Sequence, residues 1–494
     1  MPALLSRRAF ALLALAVVVA VQPACKKQPG GDLRVLVIGE KPRFRDPAQQ
    51  PLSASDELLM AETAQGLVRF DAGGNIVAGL AERWNVSDDG RSYIFRIAAA
   101  QWPDGRRITA HQVVRALKRQ VASRSRNPLK DTLGVVEDIV AMTDRVIEIR
   151  LRAPRPNLLA LLAQPEFAIH RNGQATGPFK VESSPGAGGE LRLFREVLSS
   201  DGEVSRREEV LLGSAGARDA VVAFARGQAD VVLGGTFVDL PFAQAVRVPR
   251  GSLRFDPASG LFGLVPTSAQ GPFGDPQLRR LLSQAIDRDA LVTALNVPGL
   301  AARATVLEPG LDGVTAVVQP AWFGTPMDQR RPLLASEAAR ILGSDERPPI
   351  RIFLPEGPGT QRLLARLKAD WGALGFTVER ARSAGAADFR LVDEVAPSTA
   401  PAWFLRSFRC GAVPLCDPDT ETLLSAARET QVPGQRYALL LQAAGRIDDQ
   451  QLFLPLTAPI RWSLVSSRIA GFAGNRYARH TLTDLQQPLS PGGS

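Results

Sequence analysis

The chain has 494 residues, 45% hydrophobic and 22% charged, which are values of a compact globular protein and exclude a disordered or collagen-like one. A single core rarely grows beyond ~250–300 residues, so two or three lobes must share this length. The net charge of +9 is spread over arginines that recur singly, without a block of like charges; this implies a solvated surface and argues against a nucleic-acid-binding function.

The first residues, Met1 to Phe10, carry Arg7 and Arg8, and an apolar run follows to Val21. That run is shorter than the ~20 residues a bilayer core requires, so it reads as an export signal over residues 1–24 and not as an anchor. Ser6-Arg7-Arg8-Ala9-Phe10 resembles a twin-arginine signal, although any export signal needs one or two positive charges. Cys25 directly follows Ala24, as in bacterial lipoproteins whose cysteine is acylated; the alternative is a free thiol after ordinary cleavage. Residues 25–31 read as a short tether.

Leu33 to Ile38 is an apolar run ended by Gly39, the pattern of a buried strand. Asp89-Gly90 predicts a turn before an alternating strand with Tyr93, Phe95 and Ile97 on one face. Thr109 and Gln112 form a capping box for a helix from Ala110 to Val121, and Arg145 to Leu151 alternates as a half-buried strand. Strand character resumes from Thr176 to Val181. Asp219 is placed to cap a helix from Ala220 to Arg226, before a strand ending at Val232. A second region opens with a strand from Phe262 to Val265, a helix from Pro276 and another capped by Asp287. Ile350 to Leu354, a helix from Gln361 to Leu374, and Phe376 to Val378 make a strand, helix, strand unit and hence a parallel pair.

Motifs for chemistry are few. His111, His170 and His480 are far apart and form no zinc pattern, and neither a nucleophile elbow nor a phosphate loop is present. Gly357-Pro358-Gly359 precedes a helix and offers a place for an anion, though without the lysine of a phosphate loop. Asp88-Asp89 and Asp448-Asp449 read as turn and helix-end residues. No catalytic residue, metal or cofactor is expected, and the chain reads as a non-enzyme. Cys410 and Cys416 suit one disulfide in an oxidising compartment; a metal pair is the alternative, without a second ligand pair nearby.

Several blocks fall in one order along the chain: Asp46-Pro47, Glu62 to Phe70, Gly79 to Trp84, Phe95 through Trp102-Pro103-Asp104-Gly105 to Val113, Thr176 to Phe179, Gly227 to Val231, and Pro272-Phe273 through Ala285-Ile286-Asp287-Arg288. In order and spacing the sequence resembles the bacterial extracellular solute-binding proteins of family 5, the oligopeptide- and dipeptide-binding receptors of ABC importers. The resemblance implies an α/β, two-lobed periplasmic-binding-protein fold of the large class II type, with an extra subdomain in the first lobe. It divides the chain into a first lobe over 32–258, with a subdomain inserted at about 48–174 and completion by 468–494, and a second lobe over 259–467. The implied function is a monomeric, membrane-anchored extracytoplasmic lipoprotein, periplasmic or on the outer face of the cell envelope. It would capture short peptides between its lobes and deliver them to ABC permease subunits. A receptor for another small molecule, or a signalling or envelope protein without cargo, are the alternatives.

In peptide-binding members the ligand lies extended and pairs with main chain. The corresponding edges here are Leu52-Ser53-Ala54 and Asp393-Glu394-Val395, with Trp403 as a pocket aromatic. The family's Ala-Asp-Tyr block, whose aspartate meets the ligand's amino group, is replaced by Val395-Ala396-Pro397-Ser398-Thr399-Ala400-Pro401. Asp393 or Glu394 is the substitute the resemblance offers, unless both are simply exposed strand-end acids.

Overall fold

A computed structural model describes residues 32–171, 173–182, 189–198, 203–343 and 347–486. The signal segment, Cys25 and the tether lie outside the described residues. Within Asp32–Pro488, a single compact unit, the sheets fall into three main groups.

The opening strand, Leu33–Ile38, lies near the middle of a seven-stranded sheet, parallel to Val204–Ala215 on one side and Val231–Thr236 on the other. Both flanks are occupied, which is why Val35 and Val37 are fully apolar and sealed from solvent. Parallel neighbours need a crossover, and the helix Ala217–Ala225 supplies it. This helix begins three residues before the expected start at Ala220. Gly216 precedes it, and Asp219 sits in the first turn, where its charge complements the helix dipole. Arg461–Val465 also joins this sheet, between Val231–Thr236 and Leu253–Phe255. That strand therefore belongs with the segments before residue 258, ahead of the expected crossing at 467.

A four-stranded antiparallel sheet, in the order 81–86, 92–97, 146–151, 136–143, forms a separate body with its own core. Its hairpin follows the expected alternation: Tyr93, Phe95 and Ile97 are buried, and Ile147, Ile149 and Leu151 face the same core. The helix Ala110–Val121 covers it and carries the capping box, with Thr109 Oγ1 accepting from the Gln112 N–H at 3.4 Å and Gln112 Oε1 from the Thr109 N–H at 3.2 Å.

A five-stranded sheet completes the molecule, in the order 378–380, 350–353, 389–395, 260–266, 454–457. Its helices include Pro276–Ala285, Arg288–Leu295 and Pro358–Gly372. Asp287 caps as expected, its Oδ1 accepting from the Ala290 N–H at 3.0 Å. The third helix starts at Pro358, three residues before the expected start at Gln361, because Pro358 supplies a ready-made first turn. Gly359 is pressed against the 237–238 backbone and donates its N–H to the Val238 carbonyl at 2.9 Å. That glycine pair serves close packing; the anion place expected there is filled by protein.

The chain crosses from the seven-stranded to the five-stranded sheet between Phe255 and Gly260 and returns between Thr457 and Arg461. Phe237 and Phe262, edge-to-face with centroids 5.0 Å apart, tie the two sheets into one core at this crossing. The architecture is the two-lobed α/β fold with an additional antiparallel subdomain. Among the described residues no helix is long and apolar enough to cross a membrane.

Candidate functional site

The strand Phe389–Val395 pairs antiparallel with Gly260–Pro266, and on its other side Ile350–Phe353 reaches only Phe389 and Arg390. The Ala396 N–H donates to the Ser259 carbonyl, so by antiparallel alternation Glu394 bonds toward Gly260–Pro266 while Asp393 and Val395 direct their backbone groups away. This is an open stretch of edge. Arg461 partly covers it. Its Nη2 donates to the Asp393 carbonyl at 3.1 Å and its Nη1 to the Asp393 carboxylate at 2.7 Å. Burial raises the Asp393 pKa and the Arg461 charge opposes that rise. Glu394 is exposed and pairs with Arg406 at 3.1 Å. Each acid offered as an amine partner thus already has an arginine.

Leu52-Ser53-Ala54 is not an open strand edge. Ser53 caps the helix Ala54–Thr63: its carbonyl accepts from the Glu57 N–H, its own N–H donates to Asp56, and its hydroxyl accepts from the Asp56 N–H. A capping box satisfies these groups locally, which removes them from intermolecular pairing. Leu52 turns into a small apolar cluster with Met60 and Ala168. The segment 395–401 instead contacts residues 157–164 directly. The Pro397 carbonyl accepts from Gln164 Nε2 at 2.9 Å, and Asn157 Nδ2 donates to Ser398 Oγ at 2.8 Å.

Beyond these contacts lies a cleft of about 1310 Å3, walled by the subdomain rim at Asp131–Glu137 and Arg152–Asn157 and, opposite, by residues 398–440. Eight arginines and three carboxylates line it. Arg406 stacks over the Trp403 ring at 4.1 Å, and Arg409 pairs with Glu421 at 2.8 Å. Arg155 and Arg436 come from opposite walls, and each donates one hydrogen bond to the Pro154 carbonyl, at 2.9 and 3.0 Å. Trp403 is buried beside Phe404 on the same wall, and its indole Nε1–H has no hydrogen-bond partner. Cys410 and Cys416 are joined by a disulfide, which closes a short loop on this wall.

A second cavity of about 100 Å3 lies inside the first lobe between the helix Ala54–Thr63 and the tail at Ala478–Thr481. Arg479 anchors it, paired with Glu57 and, at 3.5 Å, with Glu166. Glu62 is sealed nearby; one oxygen accepts from the Leu482 N–H at 2.8 Å and the other has no partner. Burial pushes its pKa up to about 7.

The arginines of the cleft were not singled out in the sequence, yet one carried a signal. Arg436 sits in helical register with Leu440, Ala443 and Ile447, so a charge occupies the buried stripe of the helix Pro433–Asp449. Arg155 between Pro154 and Pro156 carries no comparable periodic signal.

Residues 75–390 match the sequence model of the bacterial extracellular solute-binding proteins, family 5 middle. The chain is 26% identical over 484 residues to a probable di/tripeptide-binding protein of Pseudomonas aeruginosa, covering 86% of this chain and 89% of that one. Among solved structures it is similar to Haemophilus influenzae OppA in complex with RPPGFSPFR, with a TM-score of 0.78 at 16% identity, covering 92% of this chain and 99% of that one. The Escherichia coli murein tripeptide binding protein MppA superposes with a TM-score of 0.76 at 17% identity, covering 92% and 98%.

Proposed function

The chain belongs to the bacterial extracellular solute-binding proteins of family 5, and from that premise we propose that it is the capture subunit of an ABC importer for short peptides. The observation that carries this reading is the cleft itself. Its volume exceeds the roughly 300–1,000 Å3 of a small-molecule pocket, and its two walls come from opposite sides of the chain crossing. The Asp393 N–H and the Val395 backbone, directed away from the neighbouring strand, offer main-chain groups to an extended ligand, which gives affinity with little side-chain selection.

In this reading the first lobe spans 32–258 with its subdomain at about 48–174 and is completed by the strand Arg461–Val465 and the tail, while the second lobe spans 259–460. The walls close on a ligand by bending where the chain crosses between the sheets. A ligand that touches both walls favours the closed state by its differential contacts, and that state is what the permease recognises. Acylation at Cys25 holds the receptor at the extracytoplasmic membrane face. The family relationship and the similarity to a probable di/tripeptide-binding protein support the cargo class.

Calorimetric titration of the protein with a library of two- to five-residue peptides tests the reading, with small-angle scattering to follow compaction. Saturable binding with a smaller radius of gyration is expected; absence of binding across the library would remove the peptide assignment. For the anchor, Cys25→Ala is expected to release the protein from the membrane fraction with loss of the lipid mass. Unchanged membrane association and no change beyond the substitution itself would contradict acylation.

A further inference from the structure

Arginines withdrawn from solvent are satisfied in different ways in this protein. Arg279 donates five hydrogen bonds, to the carbonyls of Phe273, Gly274, Gln450 and Gln451. Arg288 donates four, to Pro455, Ser283 and Ile286. These two brace loops and are satisfied without a counter-charge. Arg155 and Arg436 are different. Each makes one hydrogen bond, both to the same Pro154 carbonyl, and among the described residues neither forms an ion pair with a carboxylate. Their unbonded nitrogens are not among the sealed, unpartnered polar atoms, so they keep access to the cleft that both residues line.

Two like charges held side by side repel unless something negative comes between them. Burial and the neighbouring Arg436 charge push Arg155 down to about 10, and burial lowers Arg436, with Asp312 and Tyr437 giving it only a partial opposing field. Asp312 is itself engaged by Thr399 at 2.7 Å. Arg152 and Arg390 line the same cleft, also without a carboxylate partner among the described residues, so the surplus is wider than the pair. On the same wall as Arg436, Trp403 contributes a buried N–H with nothing to donate to.

We propose that Arg155 and Arg436 form a carboxylate-binding subsite that spans the cleft and selects acidic cargo, namely peptides carrying a side-chain carboxylate as well as their terminal one. The inference rests on the receptor reading above and specifies its substrate class. A planar guanidinium from each wall matches the two oxygens of one carboxylate, so such a ligand cross-links the walls and drives closure. With four arginines at the cleft lacking a carboxylate partner among the described residues, an acidic side chain adds binding beyond what a terminal carboxylate supplies.

The experiment is calorimetry on the full chain with Ala-Glu-Ala, Ala-Gln-Ala and C-terminally amidated Ala-Glu-Ala, and in parallel with succinate and citrate. Ala-Glu-Ala is expected to bind about tenfold more tightly than Ala-Gln-Ala, a preference that shrinks as ionic strength rises from ~20 to ~300 mM. The amidated peptide should keep most of the preference, which separates a side-chain carboxylate from a terminal one. Arg155→Gln should abolish the preference, and Arg436→Gln should do the same if its melting temperature is retained. Equal affinity for the two free-acid peptides, or a preference that survives Arg155→Gln, overturns the subsite but leaves the peptide receptor standing. Binding of succinate or citrate with no binding of any peptide supports the subsite and overturns the peptide reading. Silence from every acid overturns the subsite.

Discussion

Arg461 and Arg479 on one side, and Arg155 and Arg436 on the other, are all arginines largely withdrawn from solvent, yet they live in opposite electrostatic surroundings. Arg461 grips Asp393 at 2.7 Å, and Arg479 is held by Glu57 and Glu166, whose charges raise its pKa above the ordinary value despite burial. Arg155 and Arg436 have only one shared carbonyl, and burial lowers both. The first pair are fasteners of the fold. The second pair are charges left uncompensated by the protein, at a cost that folding bears because a ligand later offsets it.

If this contrast is right, the two regions respond oppositely to substitution. The largest loss is expected from Asp393→Ala, which leaves the partly buried Arg461 without its counter-ion; chemical denaturation should show a destabilisation of about 3–4 kcal/mol. A smaller change, but a gain, is expected at Glu62. Its folded pKa of about 7 lies above the 4.5 of an ordinary glutamate, so the native state holds the proton more tightly between those values. Stability is therefore fully present below the unfolded pKa and is lost as pH rises through 7. Glu62→Gln removes that loss: at pH 8 the variant should exceed the parent by about 3 kcal/mol, with little difference at pH 4. Equal gains at both pH values would show that Glu62 is not the titrating group.

Next in size is the staple on the cleft wall. Cys410 and Cys416 close a loop six positions apart, and opening it by a double Cys→Ser substitution should cost about 2 kcal/mol through the regained freedom of the unfolded chain. Thermal unfolding with and without reductant measures it. The smallest stability effect, within about 1 kcal/mol of zero, is expected for Arg155→Gln, because it removes an unpaired charge and a single hydrogen bond. A loss as large as that at Asp393 would place Arg155 among the fasteners and erase the contrast.

The fold was legible in the sequence wherever a local rule decides the outcome. The capping box at Thr109, the cap at Asp287 and the alternation of Tyr93, Phe95 and Ile97 all use residues a few positions apart, and each appears where expected. Starts were read late where a stronger local signal lay upstream, as with Pro358 ahead of Gln361. The strand Arg461–Val465 escaped because its place is set by partners more than two hundred residues away. The same holds for the cleft. Nothing near Arg155 in sequence announces Arg436, which lies 281 positions on; the pair exists only because two lobes bring their walls together. Ser53 shows the converse, since the Ser53–Asp56 capping box was present in the sequence and decides against an open edge at Leu52-Ser53-Ala54.

The central claim is that this receptor captures short peptides, and native mass spectrometry of the protein purified from an exporting bacterium tests it most directly, with release and sequencing of whatever accompanies it. A co-purifying mixture of short peptides enriched in Asp and Glu is the predicted result. An accompanying mass that is not a peptide would contradict the assignment of cargo and leave only the solute-binding fold.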